Sequence, residues 1–207
     1  LDHLGKLYDM TNDPGQLADI SALRPKIRNQ LLDEVSNWKK TVLPELDNDK
    51  RSFVIGHPNY RWTQVPARDG VSHGAIKRSG RFPNCSYYEN WKTTEDKITW
   101  NCEVGATGTY EVSIHYALKK GDEGTVIQLS HNNARIKHKF TESHEVPSRG
   151  QENDRVKRRE SYVKDFKEIK IGKINLTKGK GELTLKALEI PGEESIEFRL
   201  LMLEKVQ

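Results

Sequence analysis

The 207-residue chain is polar for a globular protein, with 34% hydrophobic and 31% charged residues. Its 34 basic and 30 acidic groups leave a net charge of only +4. Mixed charge of this kind indicates a solvated surface and argues against a nucleic-acid-binding role. No apolar run approaches the roughly 20 residues that a membrane-spanning helix needs. The length allows one large domain, or one domain with an appendage.

The first fifty residues predict a strand, a turn and a helix. Residues 7–10, LYDM, form a short apolar segment typical of a strand end, and Asn-Asp-Pro-Gly after it is a turn signal. Apolar residues then recur at steps of three and four, which predicts a helix with one apolar face. They are Ile20, Leu23, Ile27, Leu31, Val35, Trp38 and Val42. Because Pro25 fits only a first turn, we expect the helix to begin near Arg24 and to end near Pro44.

The period changes from that of a helix to that of β-strands after residue 51. Residues 97–104 and 110–117 alternate apolar and polar side chains, and we expect GATG between them to form a tight hairpin. The inward residues would be Ile98, Trp100, Cys102 and Val104 in the first strand, and Tyr110, Val112, Ile114 and Tyr116 in the second. Further strands are predicted at residues 125–130, 134–140, 166–176, 181–188 and 196–206. Short strands and turns at this spacing predict a β-sandwich or barrel.

Two long stretches interrupt the strand pattern. Residues 56–93 and 141–161 are punctuated by proline and glycine and are rich in His, Arg, Asn, Asp and aromatic residues. Loops of this length in a compact domain are usually functional or disordered. We therefore expect any ligand contacts to lie in these two stretches.

Several motifs resemble parts of one enzyme family. LYDMTNDPGQ, residues 7–16, followed by the helix, resembles the C-terminal end of bacterial sulfatases of the arylsulfatase type, where a last strand leads into a final helix. The stretch from GHP at residue 56 to SHEVPSRGQENDRVKRRESYVKDF at 143–166 is similar to an accessory C-terminal region of such enzymes. IGKINLTKGKGELTLKALEIPG, residues 171–192, resembles the last strands of galactose-binding-like jelly rolls.

This resemblance implies a fragment of a larger enzyme. Residues 1–47 would be a strand-turn-helix remnant of the sulfatase C-terminal subdomain, and residues 48–207 an antiparallel jelly-roll-like β-sandwich. The implied partners are the upstream catalytic domain and a sulfated carbohydrate. The implied location of the parent is periplasmic or extracellular, and the parent would use calcium and formylglycine.

The chain itself lacks the sulfatase nucleophile. That family needs a C/S-x-P-x-R motif, whereas Cys85 is followed by Ser-Tyr-Tyr-Glu and Cys102 by Glu-Val-Gly-Ala. We therefore expect no catalytic residue and no resident catalytic cofactor in this fragment. An autonomous jelly-roll hydrolase would need a paired-carboxylate cleft, and no spacing here argues for one.

Aromatic residues in the first long stretch are candidates for sugar stacking. Aromatic rings bury the apolar faces of pyranoses while neighbouring polar groups hold the hydroxyls. The residues are Trp62, Tyr87, Tyr88 and Trp91. The alternative is that these rings pack the stretch onto the sandwich.

Charged residues in the second long stretch, most of them arginines, are candidates for a sulfate-binding loop. Arginine offers a planar fork of donors to sulfate oxygens. The candidates are His144, Arg149, Asp154 and Arg155, together with Arg158 and Arg159. The alternative is a solvated loop, because acidic residues are interspersed through the same stretch.

Metal and disulfide chemistry stay open at the sequence level. His57, His73 and His144 match no standard ligand spacing, so we expect structural roles for them. The jelly-roll resemblance allows a structural calcium held by acidic residues near strand ends, namely Glu95, Asp96, Asp122, Glu123 and Asp165. Cys85 and Cys102 could pair in an exported parent, or Cys102 could be a buried free thiol.

The interpretation that follows is a non-catalytic accessory domain that contacts or positions a sulfated carbohydrate for a sulfatase. The alternative is a purely structural module that stabilises the catalytic domain or its oligomer. The apolar face of the N-terminal helix needs a cover, and we expect that cover to be the sandwich or a second copy in a homodimer.

Overall fold

The computed structural model describes residues 1–206, and the chain divides into a unit of Leu1–Arg51 and a second unit that begins at Ser52. The first unit contains one helix, α1 (Pro25–Asp47). Pro25 occupies the start of the helix, as predicted, because its missing N–H needs no partner there. The helix continues past Pro44 to Asp47, so its predicted end is three residues too early.

The strand predicted at residues 7–10 is wrong. Throughout residues 1–51, all of which the structure describes, no segment forms a strand. The Leu7 N–H donates to side chains, to Ser21 Oγ at 2.9 Å and Asp19 Oδ1 at 3.3 Å, and only the Leu7 carbonyl accepts a backbone bond, from Ile20. A strand needs a ladder of backbone bonds with a neighbour, whereas residues 7–10 make one such bond, between Leu7 and Ile20, besides the turn bonds that the Asp9 carbonyl accepts from Asn12 and Asp13.

The turn that follows is held by acidic side chains, although its positive φ falls at Gln16, at 56°, and not at Gly15. Both carboxylate oxygens of Asp13 accept backbone N–H groups, from Leu17 at 3.0 Å and Ala18 at 2.9 Å. The Asp9 carboxylate accepts bonds from Thr11 and Asn12. Short acidic side chains thus hold the backbone, as their preference for turns predicts.

The apolar side chains of α1 are exposed. None of its residues is buried, and Trp38 is 60% exposed. Ile27, Leu31, Val35, Leu43 and Leu46 are also exposed. The predicted cover by the sandwich or by a second copy stays a prediction. No helix in the described part of the chain is both long and apolar enough to cross a membrane.

The second unit is a jelly-roll-like β-sandwich of two six-stranded sheets. The first sheet has the order β1-β6-β11-β8-β9, with β3 also paired to β6. The second has the order β10-β7-β12-β5-β4, with β2 also paired to β12. The strands are β1 (Phe53–Ile55), β2 (Trp62–Pro66), β3 (Val71–His73), β4 (Lys77–Arg78), β5 (Tyr88–Glu89), β6 (Lys97–Val104), β7 (Gly108–Ala117), β8 (Val126–His131), β9 (Ala134–Lys139), β10 (Lys167–Leu176), β11 (Gly179–Glu189) and β12 (Glu197–Lys205).

The predicted inward residues of β6 and β7 form the core between the sheets. All eight are buried, and the Trp100 ring meets Phe198 of β12 edge-on, with ring centroids 5.8 Å apart. The five further strands predicted after residue 124 are also present, each within two residues of its predicted start. Period-two alternation was sufficient to predict the positions of these strands because each strand has one face on the core.

The hairpin predicted between β6 and β7 is wrong. The two strands lie in different sheets and do not pair, so residues 105–107 carry the chain from one sheet to the other. Both strands turn their apolar faces to the same interior from opposite sides, a pattern that alternation alone does not separate from a hairpin. The connection is held by the Gly105 N–H, which donates to Ile55 at 2.8 Å, and by the Tyr110 hydroxyl, which donates to the Ala106 carbonyl.

The sequence pattern also missed short strands. Residues 56–93 contain β2, β3, β4 and β5, and β1 precedes them. β1 pairs with β6 in parallel, which departs from the predicted all-antiparallel arrangement. Strands of two to five residues are too short for alternation to be recognised, and tertiary pairing determines them.

The two cysteines are free thiols. Cys85 is exposed, whereas Cys102 faces the core. Burial raises the pKa of the Cys102 thiol to about 11, although a backbone bond to Leu183 opposes this. The thiol therefore stays protonated at neutral pH and acts as a small apolar group. The structure contains the second of the two alternatives, a buried free thiol.

Acid should destabilise the sandwich through His131. This side chain is 2% exposed, its Nε2 atom has no partner among residues 1–206, and burial lowers its pKa below 6.5. Between 6.5 and that lowered pKa the unfolded chain binds a proton that the folded chain does not, so the free energy of unfolding falls as pH falls. We expect His131→Leu to reduce this slope in urea unfolding between about pH 7.5 and about pH 5.5. An unchanged slope in the variant would contradict the assignment.

Candidate functional site

The first long stretch ends in a loop that β4 and β5 hold by hydrogen bonds. β4 pairs with β5, and the loop between them closes through Ser79, whose N–H donates to the Tyr87 carbonyl at 2.9 Å and whose Oγ accepts the Tyr87 N–H at 3.1 Å. Arg199 of β12 donates to the Ser86 carbonyl at 2.9 Å. The loop between these anchors presents Arg81 and Phe82 at the surface.

The two ends of the second long stretch are held together at residues 149 and 163–165, which we call the neck. The Arg149 N–H donates to the Val163 carbonyl at 2.8 Å, and the Arg149 guanidinium pairs with the Asp165 carboxylate. The His144 ring lies 2.7 Å from the Asp165 carbonyl oxygen, and because a carbonyl only accepts, His144 Nε2 carries the proton. These contacts fix the two ends of residues 150–162.

Inside the neck, an ion pair organises the second loop. The Asp154 carboxylate accepts two bonds from Arg158, at 2.7 and 2.9 Å, and one from the Tyr162 hydroxyl at 2.9 Å. The Arg158 guanidinium lies 4.4 Å from the centre of the Tyr162 ring. Hydrogen bonds from Arg158 and then Tyr162 hold the pKa of Asp154 below its ordinary value, so this carboxylate stays ionised.

The two loops meet, although the contacting residues Ser79 and Ser161 are 82 positions apart in the chain. Ser79 Oγ lies 2.6 Å from Ser161 Oγ, and Gly80 packs so closely against Ser161 that a Cβ at position 80 would lie 2.7 Å from the Ser161 hydroxyl. Behind this contact the Tyr87 and Phe166 rings lie 5.2 Å apart. We define the two-loop surface as residues 77–86 and 149–161.

The two-loop surface carries a net positive charge. It holds eight Lys and Arg against three Asp and Glu, a net charge of +5, whereas the whole chain carries +4. Arg81, Arg155, Lys157 and Arg159 are exposed and make no ion pair within residues 1–206. Arg81 follows Gly80 and Arg159 precedes Glu160, so both lie beside the contact between the loops.

A partly buried ion pair anchors the second loop to the sandwich. Lys164 Nζ lies 2.7 and 2.6 Å from the two carboxylate oxygens of Glu197 in β12, and both side chains are 13% exposed. Burial alone would lower the pKa of Lys164, but the hydrogen bond and the charge of Glu197 raise it overall. The pKa of nearby Glu89 is raised, first by burial and then by the charge of Glu197.

The predicted charged candidates divide into two groups. His144, Arg149 and Asp154 are engaged within the protein, where they shape the neck and the loop. Arg155 is exposed and available to a ligand. Arg81 and Lys77 of the first loop were not among the predicted candidates, although the basic run KRSGR at residues 77–81 contains both.

The four predicted aromatic candidates do not share one exposed surface. Tyr87, Tyr88 and Trp91 are buried, and Trp91 is only 1% exposed. The Tyr88 hydroxyl donates to the Gly70 carbonyl at 2.6 Å. This internal bond holds the ring inside the protein, as expected for a residue that packs the stretch onto the sandwich. A ring that is buried offers no face to a sugar, so the alternative of packing onto the sandwich describes these three. Trp62 is 51% exposed and lies on β2, away from the other three.

The acidic residues proposed for calcium lie apart in the fold. Asp122 accepts the Glu193 N–H at 2.7 Å, Glu123 accepts the Gly121 N–H at 2.7 Å, and Asp165 pairs with Arg149. Across residues 1–206 the structure contains no group of three or more His, Cys, Asp or Glu side chains placed to hold a metal ion. The structural calcium stays a prediction.

Comparisons with known proteins found similar folds among solved structures but no matching family. A scan against protein-family models and a search of curated proteins each returned no match. Part of the mosquito-larvicidal Cry4Aa toxin from Bacillus thuringiensis aligns with a TM-score of 0.53 and 16% identity over 75% of this chain and 25% of the toxin. At that identity the likeness concerns the fold alone, and it agrees with the sandwich described above.

Two carbohydrate-associated structures align less closely. A family 35 carbohydrate-binding module from Clostridium thermocellum gives a TM-score of 0.48 at 14% identity, over 69% of this chain and 98% of the module. The Podospora anserina GH26-CBM35 β-(1,4)-mannanase gives 0.48 at 16% identity, over 70% of this chain and 28% of the enzyme. The chain thus spans about a quarter of the toxin and of the mannanase, and none of the three is a sulfatase.

Proposed function

We propose that the chain is a non-catalytic accessory module that binds sulfated carbohydrate through the two-loop surface. The observation that carries the proposal is the concentration of charge, +5 on a surface built by two anchored loops, in a chain whose net charge is +4. Sulfate esters are anionic and present several acceptor oxygens, which match the donor forks of Arg81, Arg155 and Arg159. The module would position its ligand and break no bond.

The proposed parent is a sulfatase. The support for it is the likeness of LYDMTNDPGQ and the following helix to the end of that enzyme class. The parent would hydrolyse sulfate esters in the periplasm or outside the cell, with its own calcium and formylglycine. The residues encoded upstream of Leu1 test this directly. A C/S-x-P-x-R motif there is expected, and a catalytic domain of another class would contradict the proposal.

A structural module is the second candidate, and the exposed apolar residues of α1 favour it. Trp38 and its apolar neighbours would suit packing against another domain or a second copy. This candidate predicts no affinity for any glycan. Glycan binding by the chain therefore separates the two functions.

Sulfated glycans should bind in a salt-dependent manner. We expect carrageenan, fucoidan or chondroitin sulfate oligosaccharides to bind the full chain in calorimetry, and their desulfated forms to bind at least about tenfold more weakly, because charge-assisted bonds to sulfate are lost. Raising NaCl from about 50 to about 500 mM should weaken binding, because exposed charges are screened. Equal affinity for the sulfated and desulfated forms, or no binding to any of the three, would contradict the proposed function.

A further inference from the structure

The outer face of the second sheet breaks the usual alternation of a solvated sheet. In β12, Leu201 and Leu203 point into the core and are fully buried. Leu200 and Met202 point to the opposite face, which in an antiparallel sandwich normally carries polar side chains. On the neighbouring strand β2, Trp62 lies on this same outer face and is 51% exposed.

Polar groups surround these apolar side chains. The pairing register places Met202 beside Gln64 and Leu200 beside His115, and His115 lies opposite Glu168 of β10. The six side chains line a shallow depression of about 490 Å³: Trp62, Gln64, His115, Glu168, Leu200 and Met202. This volume lies within the range of small-molecule sites.

Several charges on this face are paired, in contrast to the exposed arginines of the two-loop surface. Arg61 pairs with Glu204, and its guanidinium lies 5.6 Å from the centre of the Trp62 ring. Lys170 pairs with Glu111 at 2.5 Å, and His115 lies 3.8 Å from Glu168. A face with paired charges gives no electrostatic preference for an anion.

We propose that this depression is a second carbohydrate site, which binds an uncharged sugar ring. The Trp62 ring would cover the apolar face of a pyranose, with Leu200 and Met202 beneath it. Gln64, His115 and Glu168 supply donors and acceptors for the hydroxyl groups. One exposed and two partly exposed apolar side chains are few for a protein interface, which buries about 800 Å² on each partner. The site does not depend on the proposed function of the two-loop surface.

Tryptophan fluorescence gives a direct test, because only two of the four tryptophans are exposed. Trp91 and Trp100 are each 1% exposed, whereas Trp38 lies exposed on α1. In the full chain carrying Trp38→Phe, Trp62 is the remaining exposed reporter. We expect a saturable change in emission on titration with neutral cello-, xylo-, manno- or galacto-oligosaccharides, and no effect of salt on the affinity. No saturable change with any of the four series would overturn the proposal.

Variants locate the site and separate it from the two-loop surface. Trp62→Ala, measured by calorimetry, should lose binding of the neutral sugar while keeping the affinity for sulfated glycans. Gln64→Ala and Glu168→Gln should each weaken neutral binding several-fold, and they serve if Trp62→Ala fails to fold. Removal of Arg81 and Arg159 should leave neutral binding unchanged. Neutral binding that survives Trp62→Ala, or a Trp62-dependent dimer in sedimentation, would overturn the assignment.

Discussion

Replacing Lys164 with methionine is expected to lower the free energy of unfolding by about 2–4 kcal/mol, slightly less than the loss of a fully buried ion pair. Lys164 satisfies both carboxylate oxygens of Glu197, and the two side chains are 13% exposed. Without Lys164 the Glu197 carboxylate stays in a site that water reaches poorly. It also faces Glu89, whose raised pKa already reflects burial and the charge of Glu197. Urea unfolding at neutral pH measures the difference.

Lys167→Met is the matched control for this loss. Lys167 also forms an ion pair, with Glu142, but those side chains are 39% and 76% exposed. Exposed pairs contribute roughly 0–1 kcal/mol, so this variant should unfold almost as the wild type does. If the free energy of unfolding falls equally in the two variants, the partial burial of the Lys164 pair has no special role in holding the second loop.

The double variant Arg81→Ala/Arg159→Ala is expected to weaken binding of a sulfated oligosaccharide by about tenfold or more. Arg81 and Arg159 flank the point where Gly80 packs against Glu160 and Ser161, one on each loop. Both are exposed and unpaired among residues 1–206, so their removal should leave the fold intact. Calorimetry with the tightest-binding sulfated probe, together with thermal unfolding, measures both properties.

Arg135→Ala/Lys137→Ala provides a control with the same change in net charge. These two exposed cations lie on β9 in the first sheet, outside both loops. If binding depends on the two-loop surface, this variant keeps its affinity. A comparable loss in both double variants would point to a non-specific effect of net charge, and the two-loop surface would lose its assignment.

Most of the sandwich could be predicted from the sequence because its long strands have one buried face. In β6 and β7 the alternation of apolar and polar residues spans eight positions, and that signal survives without knowledge of partners. It does not specify partners, however. Residues 97–104 and 110–117 looked like a hairpin, although each strand pairs within a different sheet.

The candidate site was predictable only in part. Loop length and composition identified the two stretches, and Arg155 is exposed as a ligand contact would require. For Tyr87, Tyr88 and Trp91 the sequence left stacking and packing both open, because composition does not distinguish a buried ring from an exposed one, and their burial agrees with packing. Their burial follows from β5, a two-residue strand that only tertiary pairing with β12 stabilises.

The contact between the loops was outside the reach of sequence patterns. Ser79 and Ser161 meet because the pairing of β4 with β5 and the neck at Arg149 aim the two loops at each other. No periodicity encodes a contact between residues this far apart in the chain. Its consequence, a basic surface assembled from two segments, is the central claim about function.

Amide chemical-shift mapping with a sulfated oligosaccharide tests that claim most directly. We predict shifts in both segments of the two-loop surface, residues 77–86 and 149–161, with the desulfated form causing none there. Shifts confined to one loop, or located on the outer face of β2 and β12, would contradict a sulfate-binding site built by the two loops together.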